Sequence, residues 1–437
     1  MSAIDERTRD RTFVRTFFTT PTAEQGQEDS AKKLRSAIGL RGMQAPDVWV
    51  PDNEDATAPN MRDEGAENIA EVVAEGGADF PGEIHPRVVW HRDSPETRYR
   101  GFRHMLEIAD PENGAVEHID GFVIPEVGDV DDWKKADEFF TIVENEHGLE
   151  EGSLAMSVIV ESGSAELAMG RLREEMGKPS NNLERLFLLV DGEVDYTKDM
   201  RAITPTGGLP EWKELRHNTS QAASAAGCIA VDGPYDDIRD VEGYHDRITA
   251  NNAMGMVGIW SLTPGQVVEA NRSPLPPAAG YWTIDADGRT VELESRDGVE
   301  VYDGEHIELD EVDDGYELEV GGDEHFLETE EDLGDELLDL LDYVPNLDDI
   351  VDSMEEFEAA KEAGKGAIAM TRAATVEIDG VRVDVASDRM WDEATYQALQ
   401  TPITLFQDVY ENRPDQHEDL ADLYGAEVVE RAMDVGN

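Results

Sequence analysis

Short apolar runs alternate with longer acidic segments along residues 1–270. There are eight of these runs, each of three to seven residues. They are Thr12 to Phe18, Val48 to Val50, Ile84 to Val89, Ile119 to Ile124, Leu154 to Val160, Leu186 to Val190, Cys228 to Val231 and Met256 to Leu262. Alternation of buried strands with helical segments is typical of βα units and a parallel sheet. Eight such units predict an α/β fold with a (β/α)8 TIM barrel.

Two of the intervening segments show a helical period. Apolar residues recur at helical spacing in 69–76 and in 133–148, and each segment ends on a glycine, Gly76 and Gly148, which we expect to cap its helix. A doubly wound open sheet would show the same alternation, because periodicity does not reveal whether the first and last strands pair. The number of strands favours the closed barrel.

Residues 271–343 follow a different pattern. Apolar and polar positions alternate there, and four Asp-Gly pairs interrupt the alternation. Asp-Gly between two alternating segments is a strong signal for a β-hairpin turn. The pairs begin at Asp287, Asp297, Asp303 and Asp314. We expect a small acidic antiparallel β module, inserted after the barrel and without catalytic residues.

Residues 344–437 predict a helix, a hairpin and a second helix. Residues 347–357 place apolar side chains on one helical face before Gly364, and Asp379-Gly380 marks a hairpin turn. The last segment looks helical from Asp388 onward. The domains expected are therefore 1–270, 271–343 and 344–437.

The charge of the chain is extreme, since 99 acidic residues against 36 basic ones give a net charge of -63. The acids are spread through apolar-periodic segments, which argues against disorder, and no dense Lys/Arg run supports binding to nucleic acid or anionic lipid. A solvated acidic surface suits a cytoplasm of molar salt, where screening limits repulsion to about 3 Å. A protein whose acidic surface mimics DNA is the alternative explanation of this charge.

Cysteine usage and hydropathy bear on the compartment. The single cysteine, Cys228, excludes an internal disulfide and a cysteine-based zinc cluster. No apolar run approaches the ~18 residues of a membrane span, and the first residues are charged where a signal peptide needs an apolar segment. We expect a cytoplasmic protein.

Polar residues collect where the predicted strands end. In a TIM barrel the working residues lie at the carboxyl ends of the strands, so these positions are candidates for chemistry. They are Asp52, Glu54 and Asp55 after the second strand, Arg87 in the third, Glu161 after the fifth, Asp191 and then Asp195 after the sixth, and Asp232 at the end of the seventh. Any one acid could stand there by chance in so acidic a chain, but their joint position is informative.

Two of these acids suggest a metal site. The fifth and sixth strands would be neighbours at about 4.8 Å, which allows Glu161 and Asp195 to share one hard cation. Mg²⁺ fits best, because it takes one or two carboxylates together with waters and substrate oxygens. Two solvated loop acids are the alternative.

Arg87 occupies a strand position that should be apolar, and a buried guanidinium must pair with an anion. The anion is either an anionic substrate or a fixed partner such as Asp52 or Glu54, and both can hold at once.

The motifs at these positions resemble the superfamily that malate synthases share with citrate lyase β-subunit-type acyl-CoA lyases. The resemblance covers nearly the whole chain. It rests on Asp52-x-Glu54-Asp55, Glu161-Ser162, Gly192-Glu193-x-Asp195-Tyr196, Val231 to Asp237, Gly255 to Gln266 and Gly366 to Ala369. A further stretch, Met390-Trp391-Asp392-Glu393-Ala394-Thr395, is similar to one found in malate synthases, with Trp391 where Glu is usual. The short malate synthases of haloarchaea are the most similar type.

The resemblance implies a reaction. Asp392 would be the base that deprotonates the methyl group of acetyl-CoA, and Arg87 would stabilise the enolate. Mg²⁺ on Glu161 and Asp195 would bind glyoxylate. Hydrolysis would then release malate and free CoA. Asp52, Glu54 and Asp55 would orient Arg87 or the metal-bound waters, and a homo-oligomer is expected.

Two alternatives stay open at this point. A malyl-CoA or citramalyl-CoA lyase would use the same metal site without releasing free CoA. A catalytically inactive barrel could instead serve as an interaction scaffold through the 281–343 module.

Overall fold

The chain forms two compact units. The structure is a computed structural model that describes residues 13–176, 183–203, 212–285 and 289–436. Unit 1 comprises the residues up to Pro274 together with Asp408–Asp419. Unit 2 comprises Leu275–Gln407 and the residues from Leu420 onward.

The described residues of unit 1 form eight parallel strands. They are β1 Thr16–Pro21, β2 Val48–Asp52, β3 Glu83–Ile84, β4 Gly121–Ile124, β5 Ala155–Val160, β6 Leu186–Asp191, β7 Ile229–Pro234 and β8 Gly258–Ser261. The sheet order is β3-β2-β1-β8-β7-β6-β5-β4. β1 and β8, the first and last of these strands along the chain, therefore pair directly. Parallel bridges from Arg87 to Asp52 and to Val123 join β2, the β3 segment and β4. The predicted barrel is confirmed and the open-sheet alternative is wrong.

The helices of unit 1 lie between these strands. They are α1 Lys32–Ala37, α2 Arg62–Gly76, α3 Pro95–Ile108, α4 Val130–His147, α5 Gly163–Met169, α6 Leu172–Met176, α7 Glu193–Asp199, α8 Lys213–Ala226, α9 Val241–Asn252 and α10 Pro264–Arg272. Thr12, the predicted start of the first strand, is outside the described residues, and β1 begins at Thr16.

The amphipathic pattern explains α4. Trp133 and Phe140 belong to the apolar residues at helical spacing, and both are buried. At the start of the helix, the Asp129 side chain accepts hydrogen bonds from two first-turn amides. Gly148 ends the helix in the left-handed region at φ 69°, as predicted. Gly76 does not act in this way. It is the last residue of α2, and a Cβ there would lie 3.0 Å from Ile38 Cδ1, so close packing explains this glycine.

The apolar residues of the barrel form two layers. Phe17, Val50, Val190 and Trp260 belong to a cluster formed by strand side chains. A larger cluster contains residues of the other strand face together with the apolar faces of the helices. Strands buried on both faces read as continuous apolar runs, which is why the eight runs were visible in the sequence.

Unit 2 is richer in β structure. Its strands are β9 Tyr281–Asp285, β10 Thr290–Glu292, β11 Glu294–Arg296, β12 Val299–Tyr302, β13 Ile307–Val312, β14 Gly315–Val320, β15 Asp323–Leu327, β16 Leu341–Val344, β17 Ala367–Ile378 and β18 Val381–Asp392. They form sheets of order β10-β9-β16, β11-β12-β17-β18 and β13-β14-β15. The helices are α11 Glu330–Leu340, α12 Leu347–Glu362, α13 Glu393–Asn412, α14 His417–Tyr424 and α15 Ala426–Asp434, of which α13 and α14 run into the 408–419 part of unit 1.

Four of the predicted turns lie in described residues, and three of them are hairpin turns in the structure. Hairpins turn at Asp297 between β11 and β12, near Asp314 between β13 and β14, and at Asp379 between β17 and β18. Asp303 is not a hairpin turn, because β12 pairs in parallel with β17 and β13 pairs with β14. Asp287 is outside the described residues.

The predicted start of the last helix is wrong. Residues 388–392 continue β18, whose pairing with β17 reaches from Val381 to Asp392, and α13 begins only at Glu393. Long-range strand pairing overrides the local helical pattern here. Among the described residues, no helix is long and apolar enough to cross a membrane.

The segment Asp408–Asp419 returns to the barrel. Asp47 accepts from Arg15 Nη2 at 2.8 Å and from Arg413 Nη1 at 2.6 Å, and all three side chains are buried. Arg413 Nη2 also donates to the carbonyl of Ala45 at 3.0 Å. One carboxylate between two guanidinium groups therefore ties this late segment to the residues just before β2.

Candidate active site at the carboxyl ends of the barrel strands

Arg87 lies at the centre of the candidate site and is 3% exposed. Its Nε donates to Asp52 Oδ1 at 2.6 Å and its Nη2 donates to Asp52 Oδ2, so the guanidinium and the carboxylate form a two-pronged pair. The guanidinium also lies over the Trp260 ring, 5.3 Å from its centroid. Burial alone would lower the pKa of Arg87, but the charges of Asp52, Glu54 and Asp55 raise it. The fixed partner expected from the sequence is therefore present.

Glu54 and Asp55 flank the other side of Arg87. Arg87 Nη1 lies 3.4 Å from Glu54 Oε2 and 3.6 Å from Asp55 Oδ2. Burial raises the pKa of Glu54 to about 8 against the attraction of Arg87, and hydrogen bonding to Asp55 adds to the rise. The pKa of this carboxyl group is therefore well above its ordinary value, although Arg87 favours its ionised form.

Glu161 follows β5 directly and is 5% exposed. Its Oε1 accepts a hydrogen bond from the amide of Glu126, a residue held at φ 47° in the left-handed region. Such a backbone conformation costs about 1–3 kcal/mol in a non-glycine residue and persists only where its surroundings fix it. Burial raises the pKa of Glu161 well above its ordinary value, while the Glu126 amide and Arg87 oppose the rise. The charges of Asp195 and Glu126 raise it further.

Asp195 lies in the first turn of α7 and is one-quarter exposed, with Lys198 Nζ 3.0 Å from its Oδ1. Gly192, just before this helix, packs directly on Glu161. A Cβ at position 192 would lie 2.6 Å from Glu161 Cβ and 2.8 Å from Glu161 Oε2. The absence of a side chain at Gly192 thus lets the end of β6 approach the Glu161 carboxylate.

The donor set fits Mg²⁺. Glu161 and Asp195 carry hard carboxylate oxygens in the segments that follow the neighbouring strands β5 and β6, and a cation would stabilise the desolvated Glu161 carboxylate. Within the described residues no cluster of three or more His, Cys, Asp or Glu side chains has metal-binding geometry. Mg²⁺ commonly takes one or two carboxylates and fills its other positions with water and substrate oxygens.

Gly192→Ala should weaken Mg²⁺ binding by about 10- to 100-fold, the usual effect of disturbing the support of a metal ligand. The added methyl group must displace the Glu161 side chain, whereas the backbone at φ -110° accepts alanine without strain. Calorimetric Mg²⁺ titration measures the change. Gly170→Ala is the matched control, because its Cβ would meet nothing closer than 3.8 Å. Equal Mg²⁺ affinity in the two variants would contradict this role of Gly192.

Asp392 belongs to unit 2 and is exposed. It ends β18 and caps α13, since its Oδ1 accepts from the amides of Ala394 at 3.0 Å and Thr395 at 3.1 Å. The Thr395 amide, the Ala394 amide and the Thr395 hydroxyl lower the pKa of Asp392. These contacts explain the Asp-x-Ala-Thr spacing as a helix cap that keeps the carboxylate ionised. They converge on Oδ1 and leave Oδ2 outside the cap.

Two of the strand-end acids noted in the sequence, Asp191 and Asp232, face the helices. Asp191 Oδ1 accepts from Thr219 on α8 at 2.6 Å. Asp232 accepts from Arg247 Nη2 at 2.8 Å and from Asn251 at 2.6 Å, both on α9. Successive strand residues point to opposite faces, and these two side chains follow the inward-facing Val190 and Val231.

A pocket of about 560 Å³ opens beside the ends of β1 and β8. Its apolar lining includes Phe18 and Leu262, and its basic lining comes from Lys32 and Lys33 on α1. Thr19, also in the lining, accepts from Trp260 Nε1 at 2.9 Å, which connects the pocket to the ring that packs on Arg87.

The sequence had not singled out Trp260, Gly192, Glu126 or the two lysines. Gly192 and Trp260 lay within motifs already noted, but their function depends on contacts with distant strands. Two adjacent lysines in a chain of charge -63 were a possible signal, because cations are scarce. The left-handed backbone of Glu126 left no signal in the sequence.

Comparison with known families covers both units. Residues 34–264 match the family described as HpcH/HpaI aldolase/citrate lyase, and residues 282–397 match the malate synthase H C-terminal domain. A Haloferax volcanii protein described as malate synthase is 76% identical over 431 residues, which is 99% of each chain.

Two solved structures of Haloferax volcanii malate synthase are similar over nearly the whole chain. The pyruvate/acetyl-CoA ternary complex has a TM-score of 0.63 and 70% identity, covering 98% of this chain and 100% of that one. The magnesium/glyoxylate complex has a TM-score of 0.63 and 65% identity, covering 98% and 99% of the two chains.

Proposed function

Because the chain belongs to the malate synthase family, we propose that it condenses acetyl-CoA with glyoxylate and hydrolyses the product to malate and free CoA. Mg²⁺ is its cofactor. The observation that carries the proposal is that one chain combines the Arg87–Glu161 barrel site with the C-terminal region that holds Asp392, each within a matched family region. The acidic composition fits a halophilic enzyme.

Glu161 and Asp195 are the proposed ligands of the metal. A bound Mg²⁺ supplies Lewis acidity, which polarises the aldehyde of glyoxylate toward attack at carbon. Glu161 brings a carboxylate whose orientation the Glu126 amide fixes, and Asp195 reaches the same site from the first turn of α7.

Asp392 is the proposed catalytic base. It removes a proton from the methyl group of acetyl-CoA, a very weak acid, so the enolate oxygen that forms must be stabilised at once. Arg87 provides this positive charge, and its position is fixed because Asp52 holds two of its nitrogens. Asp52, Glu54 and Asp55 act through Arg87.

We place acetyl-CoA in the pocket lined by α1. Its phosphates need cations, and Lys32 and Lys33 provide them, while Phe18 and Leu262 offer apolar surface for the pantetheine arm. The pocket lies beside Trp260 through Thr19, so a thioester at its inner end would approach Arg87.

Replacing both lysines by methionine should raise the KM for acetyl-CoA by about tenfold or more, since each tenfold step corresponds to about 1.4 kcal/mol of lost binding. The KM for glyoxylate should stay unchanged. Steady-state kinetics at several salt concentrations measures both values. Lys135→Met on α4, also an exposed lysine, is the control. An unchanged KM for acetyl-CoA in the double variant would place the phosphates elsewhere.

One assay tests the reaction itself. Acetyl-CoA, glyoxylate, Mg²⁺ and the protein are mixed in molar salt, and free thiol is followed with a thiol reagent while the acyl-CoA species are separated by chromatography. A malate synthase releases one thiol for each malate formed. A malyl-CoA lyase leaves malyl-CoA intact without thiol, and that result would reject the proposal.

Two further properties are part of the proposal. We place the enzyme in the cytoplasm, because its single cysteine and acidic surface suit a reducing, salt-rich compartment. We also propose a homo-oligomer, as the resemblance to this superfamily of barrels implies. Light scattering after size exclusion, in molar salt, measures the assembly, and a mass of 48.4 kDa would contradict it.

A further inference from the structure

Arg92 lies between two loops that support the proposed metal ligands. Its Nη2 donates to Asp199 Oδ1 at 2.7 Å, and Asp199 ends α7, the helix that carries Asp195. Its Nη1 lies 3.6 Å from Glu126 Oε2, and its amide donates to the carbonyl of Glu126 at 3.1 Å. Glu126 is the residue whose own amide holds Glu161.

The contacts around Arg92 form a closed circuit. From Asp199 the circuit continues to the loop after β5, because the amide of Gly163 donates to Asp199 Oδ2 at 2.9 Å. Gly163 is two residues beyond Glu161, so Glu161 is reached from both directions, through Glu126 and through Asp199. The circuit thus connects the segments that follow β3, β4, β5 and β6.

The acids of this circuit are paired with basic side chains: Arg92 contacts both of them, and His91 Nε2 also lies 3.2 Å from Glu126 Oε2. Glu126 and Asp199 are both acidic, and each belongs to an element that approaches the proposed Mg²⁺ site, where Glu161 and Asp195 add two more carboxylates. Arg92 is about one-fifth exposed and placed between them, so its interactions are less screened than those of a fully exposed pair. Gly128 leaves room for the aliphatic part of Arg92, since a Cβ there would lie 3.1 Å from Arg92 Cβ.

We propose that Arg92 is a positioning residue for the metal site: it sets the Glu161 loop and α7 at the separation that Mg²⁺ requires. The proposal rests on the proposed function, in which Glu161 and Asp195 bind the metal. The guanidinium is suited to this position because two of its nitrogens point to two different carboxylates, whereas a lysine ammonium is a single point charge.

The test compares Mg²⁺ affinity by calorimetric titration in the wild type, Arg92→Met, Arg92→Lys and Arg100→Met. Arg100 is a matched control on α3, one-third exposed and paired with Asp63 at 3.1 Å. Arg92→Met should weaken Mg²⁺ binding by about 10- to 100-fold, Arg92→Lys should be intermediate, and Arg100→Met should equal the wild type. At saturating Mg²⁺, kcat should recover in Arg92→Met to within a few-fold of the wild type.

A double-mutant cycle separates positioning from a general loss of stability. If Arg92 acts through Asp199, combining Arg92→Met with Asp199→Asn should cost no more Mg²⁺ affinity than the worse single change. Thermal unfolding of each metal-free variant identifies any that fails to fold, and Arg92→Lys then provides the comparison. A Mg²⁺ affinity of Arg92→Met within twofold of Arg100→Met would overturn the proposal.

Failure of the reaction is distinguishable from failure of this inference. Thiol release by the wild type tests the reaction, whereas the Mg²⁺ titrations need no turnover. An enzyme that forms malyl-CoA without thiol, yet loses Mg²⁺ affinity in Arg92→Met, supports the role of Arg92 and rejects the synthase. Unchanged Mg²⁺ binding in Glu161→Gln would overturn both.

Discussion

Asp392→Asn should lower kcat by at least about 10³-fold, within the range that positioned general bases contribute. The amide cannot accept the methyl proton of acetyl-CoA, yet it keeps an oxygen that can cap α13 through the Ala394 and Thr395 amides. The fold of unit 2 should therefore survive. Mg²⁺ and glyoxylate binding should remain as in the wild type, because their proposed ligands belong to unit 1.

The matched control is Glu393→Gln, which removes the adjacent exposed carboxylate and its ion pair with Lys361. Its kcat should stay within a few-fold of the wild type. Exchange of the acetyl-CoA methyl protons with deuterated solvent, followed by NMR, examines the first step directly and should vanish in Asp392→Asn alone. Turnover close to that of the wild type in Asp392→Asn would show that another group is the base.

Glu161→Ala and Asp195→Ala should each abolish activity together with Mg²⁺ affinity. A metal acting as a Lewis acid contributes several kcal/mol to the transition state, and 1.36 kcal/mol corresponds to a factor of ten, so we expect a loss of about 10³-fold or more. Glu161→Ala should be the more severe change, because Glu161 is buried against Gly192 while Asp195 is partly exposed. Rate measurements across a Mg²⁺ series determine both effects.

Asp237→Asn is the control for these two variants. It removes an exposed acid in the segment after β7, whose side chain accepts from the Arg239 amide. Its Mg²⁺ dependence should match that of the wild type. The same Mg²⁺ dependence in Glu161→Ala would exclude Glu161 as a ligand.

Parallel-strand geometry made the grouping of several of these side chains predictable. Asp52, Arg87 and Glu161 were found because the carboxyl ends of neighbouring strands meet at one rim of a barrel. Sequence reasoning could not tell which acids face the helices. Asp191 and Asp195 are four residues apart, yet Asp191 accepts a hydrogen bond from α8, whereas the negative charge of Asp195 raises the pKa of Glu161.

The errors arose where distant strands decide the local structure. Asp388 begins no helix, because residues 367–371 pair with 388–392 and extend β18 to Asp392. Asp303 turns no hairpin, since β12 pairs with β11 before it and with β17, which lies more than sixty residues later in the chain. The need for glycine at position 192 comes from its close packing against Glu161, which follows a different strand. Each case depends on long-range contacts, which local periodicity does not encode.

The return of Asp408–Asp419 to unit 1 limits how the protein can be dissected. A truncation after Pro274 would delete Arg413. Asp47 would then lose its ion pair with Arg413 and keep the one with Arg15. An isolated barrel would thus need residues 408–419 supplied as a separate peptide or joined by circular permutation. The two units are consequently interleaved along the gene, and a recombination event that exchanged only the part after residue 274 would remove a piece of the barrel as well.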